Sequence, residues 1–121
     1  MKILVVEDDE LTRKALEYRL KIEGYDITAA SDGSMGAKLI REETYDLIVS
    51  DILMPHANGL ELLSMVRSEM QQSTPFMVMS FLGQPCNTRK AMAIGANDFI
   101  EKPIDIDELI GKIEKYKVMI Q

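Results

Sequence analysis

The sequence predicts an α/β domain in which a five-stranded parallel sheet carries helices on both faces. Three observations predict it. Short runs rich in Val and Ile alternate with segments whose apolar residues recur at helical spacing, giving five successive strand–helix units. The connections between these units are short, as in doubly wound sheets. The segment Asp46 to Asp51 is nearly continuous in apolar character, which suits a strand buried on both faces. Right-handed crossovers leave few strand orders, and 2-1-3-4-5 is one of the two common ones.

The elements follow in order. Lys2 to Glu7 is the first strand. Leu11, Ala15, Leu16 and Leu20 then trace a helical stripe up to Gly24, a helix stop. Tyr25 to Ala30 is the second strand. Ser31-Asp32-Gly33 is a turn able to cap a helix carrying Met35, Leu39 and Ile40. After the third strand, residues 54–59 form a loop by their Pro, Asn and Gly content. Leu60, Leu63, Val66 and Met70 mark the third helix, and Pro75 opens the strand Phe76 to Ser80. A connector over Phe81 to Pro85 leads to a weaker helix from about Asn87 to Ile94, which ends at Gly95-Ala96-Asn97. Asp98 to Glu101 is a short fifth strand. Beyond Lys102-Pro103, residues Ile106, Leu109, Ile110, Ile113 and Lys117 line the inner stripe of a final helix.

Composition narrows the function. The 121 residues suit one domain, 1–121, with a core that needs no disulfide or metal staple. The single cysteine, Cys86, excludes an intrachain disulfide and reads as a minor packing residue. A net charge of −6 argues against nucleic-acid binding, which draws on clustered Lys and Arg. No apolar run has membrane-spanning length and no signal-peptide pattern opens the chain, so the expected location is cytoplasmic.

The chemistry is expected at the carboxyl ends of the strands, where open α/β sheets bind ligands. Asp8 and Asp9 follow the first strand, Asp51 ends the third, and Lys102 follows the fifth. Each has a plain structural reading alone: a helix cap, a turn aspartate, an exposed lysine. Their co-occurrence on neighbouring strands weakens those readings. Two carboxylates about 5 Å apart repel by roughly 3 kcal/mol at an effective dielectric near 20, so three together call for a cation. Oxygen-only ligands select hard cations, and Mg²⁺ fits best because it needs few carboxylates and keeps positions for water and phosphate. Carboxylates serve as phosphoryl-accepting nucleophiles, and Asp51, alone on the central strand, is the expected acceptor. Asp8 and Asp9 then read as a metal clamp, Lys102 as counter-charge, and the Ser80 hydroxyl as a donor to a phosphate oxygen.

Together these residues resemble the receiver domain of two-component response regulators. The resemblance covers essentially the whole chain: Val5-Val6-Glu7-Asp8-Asp9, then Asp51-Ile52-Leu53-Met54-Pro55 with Asn58-Gly59, then Ser80, Gly95-Ala96, and Asp98-Phe99-Ile100-Glu101-Lys102-Pro103. It implies a flavodoxin-like fold and a partner histidine kinase whose phosphohistidine donates to Asp51. By the family pattern Asp9, Asp51 and the Leu53 backbone carbonyl contact Mg²⁺, with Asp8 assisting. Ser80 and Lys102 contact the phosphoryl group, Phe99 rotates inward, and Pro103 follows a cis bond. The remodelled face, built from the fourth helix, fifth strand and last helix, would meet an effector domain or protein, or a second copy of the chain.

Some positions depart from the pattern. Phe81 follows the switch hydroxyl where a small residue is usual, so a ring is expected to narrow access to Asp51. Leu53 and Leu82 are apolar where the family tunes hydrolysis, which predicts a long-lived phosphorylated state. His56 reads as a solvated loop residue, and Met54 as a candidate partner-facing side chain. Two other classes share part of this pattern. Asp8-Asp9-Glu10-Leu11-Thr12 loosely resembles the nucleophile motif of haloacid-dehalogenase phosphatases, but its third position is Glu and no cap domain is present. A degenerate receiver that only binds protein is opposed by the full set of acids, Ser80 and Lys102. The chain is therefore expected to be a signalling domain rather than a turnover enzyme.

Overall fold

Residues 1–54, 58–81 and 85–120 are described by a computed structural model, without the side chains of residues 85 and 118–120. Five strands, β1 (Lys2–Val6), β2 (Asp26–Ala30), β3 (Leu47–Asp51), β4 (Phe76–Phe81) and β5 (Asp98–Lys102), form one parallel sheet in the order β2-β1-β3-β4-β5. Between and after them run α1 (Glu10–Ile22), α2 (Gly33–Glu42), α3 (Gly59–Ser64), α4 (Pro85–Ile94) and α5 (Ile106–Ile120). This is the flavodoxin-like arrangement. Because strand order reverses between β1 and β3, the carboxyl ends of those strands open onto a common crevice.

Strand alternation divides the core into two layers. Ile3 and Val5, Leu47 and Val49, Met77 and Met79, and Ile100 pack with Leu16 and Leu20 of α1 and Leu109 and Ile113 of α5. Leu4 and Val6, Ile48, Phe76 and Val78 pack on the other face with Ile40, Leu62, Leu63 and Val66. All five residues of β3 are buried, as a central strand covered on both faces requires.

Local signals fix the helix starts. Asp9, Asp32 and Asn58 cap α1, α2 and α3, accepting from the backbone N–H of Thr12, Met35 and Glu61. Beyond Ser64 the third helix loosens into a π-helical turn over Met65–Glu69, which the apolar periodicity did not predict. Arg67 on that turn donates to Gly95 O, Gln72 O and Asn97 Oδ1, tying the turn to the segment before β5. Several expected boundaries move. Phe81 belongs to β4 rather than to a connector, and Lys102 belongs to β5, because the two are partners in the parallel ladder. The fourth helix starts at Pro85 rather than near Asn87; proline tolerates a first-turn position, where an N–H would lack a partner anyway. Pro55, His56 and Leu82 lie outside the described residues. No helix among the described residues is long and apolar enough to cross a membrane.

Candidate functional site

The same alternation that builds the α1/α5 layer delivers the site. Glu7 continues the series Ile3, Val5; Asp51 continues Leu47, Val49; Lys102 continues Ile100. All three emerge on one face at the carboxyl edge of the sheet, and all three are buried. Lys102 Nζ lies 2.7 Å from Glu7 Oε2 and 2.7 Å from Asp51 Oδ1. Glu7 Oε1 accepts the Asp9 N–H at 3.0 Å. Carboxylate oxygens of Glu7, Asp8 and Asp51 lie within 4.8 Å of one another.

One ammonium cannot satisfy this much buried acid. Asp51 Oδ2 is buried with no hydrogen-bond partner, and Glu7 Oε2 has the ammonium at ion-pair distance without an aligned hydrogen bond. Burial, then the neighbouring Glu7 carboxylate, push the Asp51 pKa up to about 9, against the pull of Lys102. Burial opposes the charge on Lys102, but its bonds to Asp51 and Glu7 outweigh that and hold the ammonium protonated to higher pH than usual. An orphaned buried oxygen in an all-oxygen acidic group matches what a hard divalent cation needs.

The geometry revises the expected clamp. Asp9 borders the cavity, but its carboxylate is turned to α1, where Oδ2 accepts from Thr12 Oγ1 at 2.6 Å and Thr12 N at 2.9 Å. Those two bonds hold its carboxyl below the usual range. Glu7, read in the sequence as the end of a strand and as part of the first acidic motif, is the residue whose carboxylate lies beside those of Asp8 and Asp51. The available signal was strand parity: Glu7 is two residues after Val5, and Asp9 lies in the cap beyond the strand.

The rest of the set surrounds this centre. A cavity of about 690 Å³ joins Glu7, Asp8, Asp51 and Lys102 to an apolar wall that includes Leu11, Leu53 and Phe81. Gly59 packs so close behind Asp51 that a Cβ there would overlap the Asp51 carbonyl oxygen. Its N–H donates to Ile52 O at 2.7 Å, which closes the backbone after the acid. Ser80 follows the parity of Phe76 and Val78 and faces the other layer, with its Oγ 3.1 Å from Thr88 Oγ1 of α4. Phe99 is turned outward, 37 % exposed, with Lys112 Nζ 5.9 Å from its ring centroid. The Lys102–Pro103 peptide is cis.

The described residues thus place an acid-and-lysine pocket at the switch point of a doubly wound sheet. Comparison with known proteins makes the class specific: the response regulator receiver domain family matches residues 3–114, and the chain belongs to that family, part of two-component signalling. It is similar to the response regulator ArlR of Staphylococcus saprophyticus, 36% identical over 112 residues that make up 93% of this chain and 50% of ArlR. The chain thus spans about half the length of the curated relatives it matches. Among solved structures, the receiver domain of Francisella response regulator 1452 superposes with a TM-score of 0.91 at 32% identity, covering 99% of this chain and 98% of that one. The chemotaxis response regulator CheY4 of Vibrio cholerae superposes at 0.87 with 27% identity, covering 95% and 97%.

Proposed function

We propose that this domain accepts a phosphoryl group on Asp51 from the phosphohistidine of a sensor histidine kinase and relays that event through a change of its surface. The observation that carries this reading is the Asp51 carboxylate itself, anchored by Oδ1 on Lys102 while Oδ2 is left without a partner. Mg²⁺ is the cofactor we assign, held by Glu7, Asp8, Asp51 and the Leu53 backbone carbonyl. When bound it would neutralise the acids and the charge of the transferring group.

The protein's own residues do the remainder. Asp51, once ionised, supplies the attacking oxygen: a new oxygen–phosphorus bond forms, the donor's phosphorus–nitrogen bond breaks, and the imidazole, protonated on its other nitrogen, leaves as a neutral group with that electron pair. Lys102, already at hydrogen-bond distance from Asp51, balances charge on the phosphoryl oxygens. Ser80 would exchange its Thr88 partner for a phosphoryl oxygen, and Phe99 would turn inward from its exposed position. Such a modification biases the switch only by the difference in its contacts between the two arrangements. The readout is an effector domain or partner protein, or a second copy docked on the α4–β5–α5 face, in the cytoplasm and without direct nucleic-acid contact by this domain. It turns over no substrate apart from its own phosphorylation and dephosphorylation.

The test is Mg²⁺-dependent phosphotransfer onto wild type and Asp51→Asn. Labelling of wild type alone, lost on chelation, is expected; equal labelling of both would overturn the assignment.

A further inference from the structure

Phe81 ends β4 and breaks that strand's pattern. Phe76 to Ser80 are buried, whereas Phe81 is 55 % exposed and belongs to neither core layer. Its parity is that of Met77 and Met79, so it rises from the face of the sheet that carries Asp51. Its ladder partner is Lys102, and its ring centroid lies 5.2 Å from Lys102 Nζ. Met79 is the ladder partner of Asp51, so Phe81 stands two residues, roughly 7 Å, further out along the exit from the sheet. The ring lines the cavity that holds Asp51.

We propose that Phe81 is a specificity-determining residue of the Asp51 site, an aromatic wall over Lys102 that discriminates among phosphoryl donors by the bulk of the leaving group. This rests on Asp51 being the phosphoacceptor. Attraction between the ring face and the ammonium keeps the ring at the pocket mouth rather than out in solvent. Transfer is in line, so as the oxygen–phosphorus bond forms the leaving group lies at that mouth. A compact leaving group passes the ring, and a planar one meets it. A protein donor offsets that hindrance with contacts over a wide surface, which a small free donor lacks.

The test uses the 121-residue chain as wild type, Phe81→Ala and Phe81→Leu, with Mg²⁺ and two free donors of the same bond type. Phosphoramidate releases ammonia; phosphoimidazole releases imidazole. In each donor the phosphorus–nitrogen bond breaks and its electron pair departs on a leaving group already protonated. Initial rates of Asp51 phosphorylation are read by intact-mass spectrometry, with thermal melts confirming folding. Phe81→Ala should speed the phosphoimidazole reaction about fivefold or more and the phosphoramidate reaction about twofold or less, with Phe81→Leu between. A ratio of the two rates unchanged from wild type in both variants overturns the proposal, since a general disturbance moves both donors alike. Label absent from all three forms, or retained in Asp51→Asn, overturns the phosphoacceptor reading and takes this inference with it.

Discussion

Replacing Asp51 by Asn should stabilise the metal-free chain, although it removes the group on which the proposed function depends. The folded chain holds the Asp51 proton to about pH 9, against an ordinary value of 3.8, because of burial and the adjacent Glu7 carboxylate. Between those values the native state binds more protons than the unfolded one, so this group's contribution to stability is greatest below pH 4 and is lost as pH rises toward 9. The slope is at most about 1.4 kcal/mol per pH unit, which puts an upper limit of about 4 kcal/mol on the cost at pH 7. Asn carries no such charge. It keeps an oxygen for Lys102 and offers an N–H to Glu7 in place of the carboxyl proton, and imperfect placement of the amide is given a cost of about 2 kcal/mol. The net gain at pH 7 is then about 2 kcal/mol, roughly 6–10 °C in melting temperature for a domain of this size. Urea unfolding of both proteins in EDTA at pH 5, 7 and 8.5 measures it. The gap should widen with pH. A wild type as stable as the variant at pH 7 and above, or a gap independent of pH, would refute the electrostatic account of this site.

Other perturbations separate the roles of neighbouring residues. Asp8→Asn should weaken Mg²⁺ binding about tenfold or more by titration calorimetry, whereas Asp9→Asn should change it little, since that carboxylate is spent on Thr12; the reverse order would restore Asp9 to the clamp. Gly59→Ala should destabilise by about 2–4 kcal/mol in urea, because its Cβ meets the Asp51 backbone carbonyl rather than a yielding side chain; a cost near zero would mean the backbone shifts freely. Arg67→Ala should cost about 2 kcal/mol by releasing Gly95 O, Gln72 O and Asn97 Oδ1 at once, with faster amide exchange in the segment before β5. The apolar Leu53 predicts slow loss of the phosphoryl group, so Leu53→Asn should dephosphorylate faster than wild type; equal or slower loss in the variant would remove that residue from the account.

The sheet was legible because its signals are local and repeated: apolar runs of strand length, helical stripes, and capping aspartates at the first two helix starts. Asp51 and Lys102 were legible for a related reason, since a polar residue closing an apolar strand advertises itself. Glu7 was hidden by the same rule, because adjacent acids after a strand look like a pair and the eye takes Asp8 and Asp9 together. Side-chain direction decides otherwise, and direction comes from counting twos along Ile3, Val5 and Glu7. The contacts of Ser80 with Thr88, and of Phe81 with Lys102, join residues whose meeting depends on the packing of α4 and on ladder register. The π-helical turn has no pattern of its own, and its anchors, Gly95 and Asn97, are 28 and 30 residues from Arg67.

The unsatisfied acids give the pocket a thermodynamic direction. At this edge two buried carboxylates share one lysine and an oxygen goes unbonded. Local conflict of this kind is what a functional site imposes on a fold. A cation that binds only the folded chain stabilises it by about 2.7 kcal/mol at a hundredfold excess over its Kd, the same order as the cost assigned above to the raised Asp51 pKa. The proposed cofactor and the proposed modification would thus act on a centre already near balance. At such a centre a small difference in contacts is enough to favour one arrangement of Ser80 and Phe99 over another.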